Sequence, residues 1–377
     1  MTIQQPRFPQ ELVDEILDYC AGDRPSLKTC SLVSREWVSR CRSHLFKKCS
    51  LNHHPSPFKS RLIHFCDLLR SPYCTLLPHV CGIYHLIHFD RQDYDCFDEI
   101  AADLGRLTKL RELRMTFMTS YHPAKLDFFL HTAFPKITRL HLDLCAMPGP
   151  LVNMICLFPA LQELEIGTSG DIPPAHPIPK PPPELRSLTL SEGSMGQILA
   201  WLDAVGHLPN VRSLTLSPVR RSDMLVVTTA LQHLGDALHH LSINTAYDVA
   251  EDYVNAIDIF DLSLHRNLET LHIHSDSLCY SGEKEMIPLI TKLVAPTLER
   301  LSVALDLGLS MYQRLDWAAL DTFLSPDQFP RLRAVTFQCS QHFDHDNPND
   351  VDFHKHKFLG DALPLLTASG VLQTRWW

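Results

Sequence analysis

The 377-residue sequence predicts an α/β protein in which three short helices precede a long array of alternating strands and helices. Two observations lead to this prediction. A short frame with apolar residues at its first, fourth and sixth positions returns nine times, and segments with helical periodicity lie between the copies. Strands that alternate with helices form a parallel sheet, because each helix carries the chain back to the start of the next strand.

Three short helices are predicted between residues 8 and 46. Proline is tolerated in the first turn of a helix, so Pro9 and Pro25 mark two helix starts, and Ser34 is a suitable N-cap for the third. The apolar residues at helical spacing are Leu12, Val13, Ile16 and Leu17 in the first helix, and Trp37, Cys41 and Leu45 in the third. In the second helix the same spacing predicts a buried side formed by Leu27, Cys30 and Val33. So short a segment cannot bury that many apolar side chains, and we expect a partner to cover some of them.

The segment FPQELVDEIL together with SLKTCSLVSREWVSRCRSHLF resembles an F-box, the adaptor-binding module of cullin-RING ubiquitin ligases. The resemblance covers residues 5–51, and Phe8 stands where leucine is usual before Pro9. It implies binding to a Skp-type adaptor and, through that adaptor, to a cullin. It assigns the adaptor contacts to Phe8, Pro9, Leu12, Ile16, Val33 and Trp37. The alternative is a helical cap on a larger domain.

The nine frames, among them LTKLRELRM, FPALQELEI and LPNVRSLTL, recur about every 28 residues, the period of a long leucine-rich repeat. An irregular earlier copy lies near Ile83. The fourth-position residues are Leu113, Leu140, Leu164, Leu188, Leu214, Leu241, Leu271, Leu301 and Val335. Residues 52–377 thus resemble a degenerate leucine-rich-repeat solenoid, which implies a horseshoe with a parallel sheet. Of the positions where an asparagine or cysteine usually turns the chain after each strand, only Cys145 fits, and a doubly wound α/β domain is the alternative.

Helical periodicity fills the segments between the frames. No single repeat can bury both its strand and its helix, so neighbouring repeats must stack. The predicted helices are 97–107, 126–133, 198–208, 224–234, 253–262, 286–293 and 315–324. A proline-rich insertion at 172–183 interrupts the array. It is either a stiff surface loop within one repeat or a polyproline docking segment for an SH3- or WW-type partner.

Composition is that of a soluble globular protein, with 45 % apolar and 20 % charged residues. The net charge of −9 offers no broad attraction to phosphate backbones, so we expect no nucleic-acid partner. The N-terminus has no secretory signal pattern, and no apolar run approaches the length of a membrane span. The 12 cysteines follow no disulfide framework. Together these features predict a cytoplasmic or nuclear protein that does not bind membranes.

No catalytic motif is found. The phosphate-binding loop, the nucleophile elbow, the zinc-protease helix and the C-x-x-C pair are all missing from the sequence, so we expect no catalytic residues, no cofactor and no bound metal. Histidines and aspartates are concentrated near the C-terminus, at His342, His345, His354, His356, Asp344, Asp346, Asp350 and Asp352. This cluster is either a solvated loop or a site for a divalent metal.

The frame also predicts which strand residues face away from the core. Side chains alternate along a strand, so the residue between the last two apolar positions lies on the opposite, inner face of the sheet. Nine strands give a surface about 40 Å wide, enough for a folded protein. We expect target binding on its C-terminal half, at Ser242, His272, His274 and Ser302.

The sequence as a whole predicts a non-catalytic substrate-recognition subunit of a cullin-RING ubiquitin ligase. Its helices would bind the adaptor and its solenoid would hold an unidentified protein target. One alternative is an F-box scaffold that does not direct ubiquitylation. Another is a metal-dependent enzyme built on the C-terminal histidines.

Overall fold

The computed structural model describes residues 9–51, 58–87, 97–117, 123–144, 151–168, 178–191, 193–245, 256–275, 283–305, 315–339 and 357–376. The chain forms two compact units, Met1–Gln162 and Glu163–Trp377. The functional boundary predicted between residues 51 and 52 stays a prediction.

The first unit begins with the three predicted helices and continues into a parallel sheet. The helices are α1 Gln10–Tyr19, α2 Arg24–Val33, α3 Arg35–Leu45, α4 Phe58–Arg70, α5 Phe97–Gly105, α6 Pro123–Ala133 and α7 Leu151–Ile155. The strands are β1 Lys48–Ser50, β2 Gly82–Ile87, β3 Glu112–Phe117 and β4 Arg139–Leu144. Each strand pairs in parallel with the next one in the sequence.

The second unit repeats this pattern over eight strands, which again pair in parallel in the order of the sequence. The strands are β5 Glu163–Thr168, β6 Ser187–Leu190, β7 Ser213–Leu216, β8 His240–Thr245, β9 Thr270–Ser275, β10 Arg300–Leu305, β11 Ala334–Cys339 and β12 Leu372–Trp376. The helices are α8 Met195–Ala204, α9 Met224–Leu234, α10 Ala256–Ile259, α11 Glu283–Ile290, α12 Trp317–Phe323, α13 at 357–362 and α14 Pro364–Ala368.

The predicted repeat frame is confirmed in both units. All nine fourth-position residues, from Leu113 to Val335, are buried. They also stand opposite one another in the strand register: Leu113 faces Leu140 in the first unit, and Leu214 faces both Leu188 and Leu241 in the second. A doubly wound domain would reorder its strands. The fold is therefore of the leucine-rich-repeat type, α/β with a parallel sheet that follows the sequence.

A shared backbone acceptor fixes the start of successive strands. The N–H groups of His239 and His240 donate to the carbonyl oxygen of Arg212 at 2.9 and 3.0 Å, and those of Glu269 and Thr270 donate to the carbonyl of His239 at 2.8 and 3.1 Å. The other carbonyls that accept two such bonds are those of Lys47, Cys81, Arg111, Arg186, Glu269 and Glu299. The strands β2 to β4 and β7 to β11 thus begin where the preceding repeat offers an acceptor.

Two strands and several helix ends differ from the sequence prediction. The short strand β1 and the last strand β12 were not predicted, because neither contains the apolar frame. The helix predicted at 198–208 ends at Ala204, because Gly206 adopts φ 67° and so terminates it. The helix predicted at 253–262 is described only as α10, followed by a 3-10 turn at Leu262–Leu264.

Candidate binding surfaces

The three N-terminal helices share a small core. Val13 and Leu17 of α1, Leu27 of α2, and Cys41 and Leu45 of α3 are buried against one another. Trp37, one of the predicted adaptor contacts, packs against this core and is only partly exposed. These five residues can close the bundle, but they use only part of the apolar surface that the helices carry.

Side-chain hydrogen bonds cap the N-termini of α2 and α3. The Asp23 carboxylate accepts from the Ser26 N–H at 3.2 Å, and the Ser34 hydroxyl accepts from the Glu36 N–H at 3.3 Å. The bonds from Ser26 lower the pKa of Asp23, because they favour the charged carboxylate. The prediction that Ser34 is the N-cap of the third helix is therefore confirmed. Ser34 is also the single residue that separates α2 from α3.

Four apolar side chains of α1 and α2 point outward. Leu12 is 47 % exposed and Ile16 56 %, while Leu32 at 87 % and Val33 at 64 % lie at the end of α2. Leu12 and Ile16 stand one helical turn apart and so share a face. Helical spacing predicted that Val33 would be buried beside Leu27, and that was wrong, because Val33 lies in the last turn, beyond the shared core.

The predicted adaptor residues are partly accessible and partly packed against the helical core. Pro9 is exposed at the start of α1, and Phe8 lies outside the residues that the structure describes. Pro9, Leu12, Ile16 and Val33 are therefore accessible, whereas Trp37 mainly supports the bundle. Leu32 was not among the predicted contacts, although it lies next to Val33 in the sequence.

An ion cluster holds α1 against α3. The Asp18 carboxylate accepts from Arg40 Nε at 2.6 Å and lies 2.8 Å from His44 Nε2. The hydrogen bonds from Arg40 and then His44 lower the pKa of Asp18 to about 2. This cluster lies at the end of the helix that carries Leu12 and Ile16, and so it helps to fix the direction in which they point.

Small and polar residues line much of the inner face of the second unit. The four residues predicted to bind a target lie on adjacent strands. Ser242 in β8 faces His272 in β9, which in turn faces Ser302 in β10, and the rings of His272 and His274 stack with their centroids 6.0 Å apart. Ser302 is only 6 % exposed and lies at the bottom of this group.

Three further residues belong to the same surface. His240 and Arg300 lie two residues before Ser242 and Ser302 on the same inner face, and both are exposed. Asn244 lies opposite His274. The alternation of strand side chains places Asn244 on the inner face from the sequence alone, and the same rule extends to His240 and Arg300, because residues two positions apart share a face. None of the three was among the predicted target-binding residues.

The inner face of the first unit carries a separate charged network. The Tyr84 hydroxyl donates to Glu112, which also pairs with Lys48 at 3.5 Å and Arg139 at 3.7 Å. Lys48 Nζ lies 4.9 Å from the centre of the Tyr84 ring. A Cβ atom at Gly82 would lie 3.0 Å from Tyr84 Cε2, so the glycine leaves room for the ring. The Glu112 carboxylate thus pairs with both neighbouring cations of this network.

The described end of the proline-rich insertion is attached to the second unit. The Trp201 indole N–H donates to the Pro179 carbonyl at 2.8 Å, and Pro182 is buried, while Ile178 remains exposed. Residues 172–177 lie outside the described part of the chain. The contact anchors the segment that leads into β6.

The described histidine, cysteine and acidic side chains bear on two kinds of site, a metal site and a reactive thiol. Within the described ranges, no group of three or more histidine, cysteine or acidic residues could hold a metal ion, and the predicted cluster at 342–356 falls outside those ranges. Burial raises the pKa of the Cys66 thiol to about 12 and that of Cys156 to about 11, which keeps them protonated. No helix among the described residues combines the length and the apolar character needed to cross a membrane.

Comparison with known proteins shows similarity to solved structures. No protein-family model matches the chain, and no curated protein matches its sequence. Among solved structures, the crystal structure of a TLR13–ssRNA13 complex is similar over 74 % of this chain and 35 % of that chain, with 16 % sequence identity and a TM-score of 0.35. This chain therefore spans about a third of the length of that protein.

Proposed function

We propose that this chain is a substrate-recognition subunit of a cullin-RING ubiquitin ligase, whose N-terminal helices bind a Skp-type adaptor and whose repeats bind a protein target. On this proposal the chain performs no bond chemistry. It contributes proximity and orientation, which raise the effective concentration of a target near the enzyme that modifies it.

The observation that carries the proposal is the outward position of Leu12, Ile16 and Val33. These are residues that the F-box resemblance assigns to the adaptor, and their side chains lie outside the helical core. Large apolar side chains exposed on one small bundle are typical of a surface that a partner covers. A simple helical cap would instead turn these side chains toward the domain that it covers.

The repeats support the second half of the proposal. Repeat arrays offer long sheet surfaces that bind proteins, and the inner face here is polar and varied rather than uniformly basic. The described cysteines, including Cys41 and Cys66, are free thiols, which suits the reducing cytoplasm or nucleus.

Co-expression with a Skp-type adaptor tests the first half. Changing Leu12 and Ile16 together to Asp should abolish co-purification, because each carboxylate would be buried without a partner at the interface. Leu225→Asp is the matched control, since Leu225 is an exposed leucine of α9 in the other unit. Undiminished adaptor binding by the double variant would refute the F-box assignment.

Affinity purification with and without proteasome inhibition separates a ligase subunit from a scaffold. We expect adaptor, cullin and at least one further protein, and we expect that protein to accumulate when the proteasome is inhibited. A partner whose amount and ubiquitylation do not respond to inhibition would favour the scaffold.

A further inference from the structure

Nine inner-face positions on three adjacent strands form what we call the β8–β10 grid. Its members are His240, Ser242 and Asn244 in β8, Thr270, His272 and His274 in β9, and Arg300, Ser302 and Ala304 in β10. The register places Thr270 between His240 and Arg300, and His272 between Ser242 and Ser302. His272 therefore lies at the centre of the grid.

The grid carries only cationic or neutral side chains. None of its nine residues is acidic, although the whole protein has a net charge of −9. Arg300 is exposed and forms no ion pair with any residue that the structure describes. An unpaired arginine beside three histidines attracts anions to this part of the inner face.

Two buried polar atoms in the grid have no hydrogen-bond partner. These are the Ser302 hydroxyl oxygen and Asn244 Oδ1. Ser302 points to the inner face, because its neighbours Leu301 and Val303 are fully buried on the other side of the strand. Buried polar groups are nearly always satisfied, and a bound ligand is one way to satisfy them.

We propose that the β8–β10 grid binds an acidic segment of a partner protein, with an Asp or Glu carboxylate held by Arg300 and the Ser302 hydroxyl. This inference deepens the proposed function and rests on it, since the acidic segment would belong to the target. The guanidinium of Arg300 is the permanent positive charge of the grid, and it can pair with the single negative charge of one carboxylate. Asn244 Oδ1 can accept a hydrogen bond from a peptide N–H, which favours a peptide over a free anion.

His272, at the centre of the grid, gives the interaction a pH dependence. Burial, and then the neighbouring His274, His240 and Arg300, lowers the pKa of His272, so that its ring is neutral at pH 7. A carboxylate placed beside the ring opposes these effects and favours the protonated form. Binding therefore takes up protons, and affinity should be greater at pH 6 than at pH 7.5.

Fluorescence anisotropy with the full chain tests the proposal. The probe is a labelled peptide with four glutamates between glycines, and the matched peptide has glutamines instead. We expect saturable binding of the glutamate peptide alone. Arg300→Gln should weaken the binding of this peptide at least about tenfold, as expected for loss of a charge-assisted contact. Ser302→Ala should also weaken it, because the substitution removes the hydroxyl group, and the smaller alanine side chain cannot block the site. Arg266→Gln, which removes an exposed charge outside the grid, should change nothing.

Three results would overturn the proposal: equal binding of both peptides, unchanged binding by Arg300→Gln, or tighter binding of a matched phosphoserine peptide. A thermal melt of each variant confirms that it is folded. Adaptor co-purification is measured on the same samples. Peptide binding that persists while the adaptor fails to bind would contradict the ligase proposal but support the grid, and the reverse result would contradict the grid alone.

Discussion

The carboxylate of Asp321 in α12 accepts a hydrogen bond from the backbone N–H of Leu366 at 3.0 Å, and a second from that of Leu365 at 2.9 Å. Asp321 is almost fully buried, and the two N–H groups belong to the first turn of α14. A side chain from one helix thus caps another helix that is more than forty residues away in the sequence. This bond attaches the last repeat to the one before it.

Asp321→Ala should lower the free energy of unfolding by about 1–3 kcal/mol, because it leaves two N–H groups without a buried acceptor. Asp321→Asn keeps one acceptor oxygen and should cost less. Chemical denaturation measures both. If Ala and Asn variants unfold like the parent protein, the cap contributes nothing to stability.

Leu214→Ala should destabilise the second unit by about 2–5 kcal/mol, since it leaves a cavity among fully buried neighbours. Leu225→Ala is the control, because Leu225 is exposed and its change should stay within about 0.5 kcal/mol. Both are compared by urea denaturation. A parent-like midpoint for Leu214→Ala would contradict its place in the core.

The double variant Leu12→Asp, Ile16→Asp should keep the thermal melt of the parent protein, because both side chains are exposed in the free chain. Leu17→Asp, in the same helix but fully buried, should unfold the N-terminal bundle. Circular dichroism of the three proteins checks this. A double variant that melts as early as Leu17→Asp would show that Leu12 and Ile16 support the fold.

Asp18 should make stability fall in acid. Its pKa is lowered from the ordinary 3.8 to about 2 in the folded protein, so its stabilising contribution is complete above pH 3.8 and is lost as the pH falls toward 2. Asp18→Asn should remove this part of the acid dependence. Melts at pH 2–5 of both proteins measure the difference. Identical pH dependence would argue against the cluster with Arg40 and His44.

His265 should also make stability fall in acid, but over a higher pH range than Asp18 and because its neutral ring is buried. Burial lowers the pKa of His265 below the ordinary 6.5, so the folded state resists protonation and stability is lost as the pH falls below 6.5. Its Nδ1 lies 2.9 Å from the carbonyl oxygen of Gly235 in the preceding repeat. His265→Gln should flatten the rise in stability between pH 5 and 6.5, as measured by denaturation. A slope equal to that of the parent protein would exclude His265 as its source.

The repeat frame could be read from the sequence because it depends on local alternation, and the burial of Leu113, Leu214 and Val335 follows from that alternation. The cap by Asp321 could not, since it joins helices distant in the sequence. Periodicity also marks apolar residues without saying whether the chain itself or a partner covers them, which is why Val33 was misplaced. For Ser302 the repeat frame predicts the correct face of the sheet but not that the side chain is buried there.

The shared carbonyl acceptors have a further consequence, because they make the array directional. Within each unit, the start of such a strand takes its acceptor from the repeat that the ribosome has already made, as His240 does from Arg212. At that junction, loss of the following repeat would free one carbonyl oxygen, whereas loss of the preceding repeat would free two N–H donors. Elsewhere in the ladder an N–H group can donate to the following repeat, as that of Leu51 does to the carbonyl of Tyr84 at 3.0 Å, so the direction is set only where these strands start.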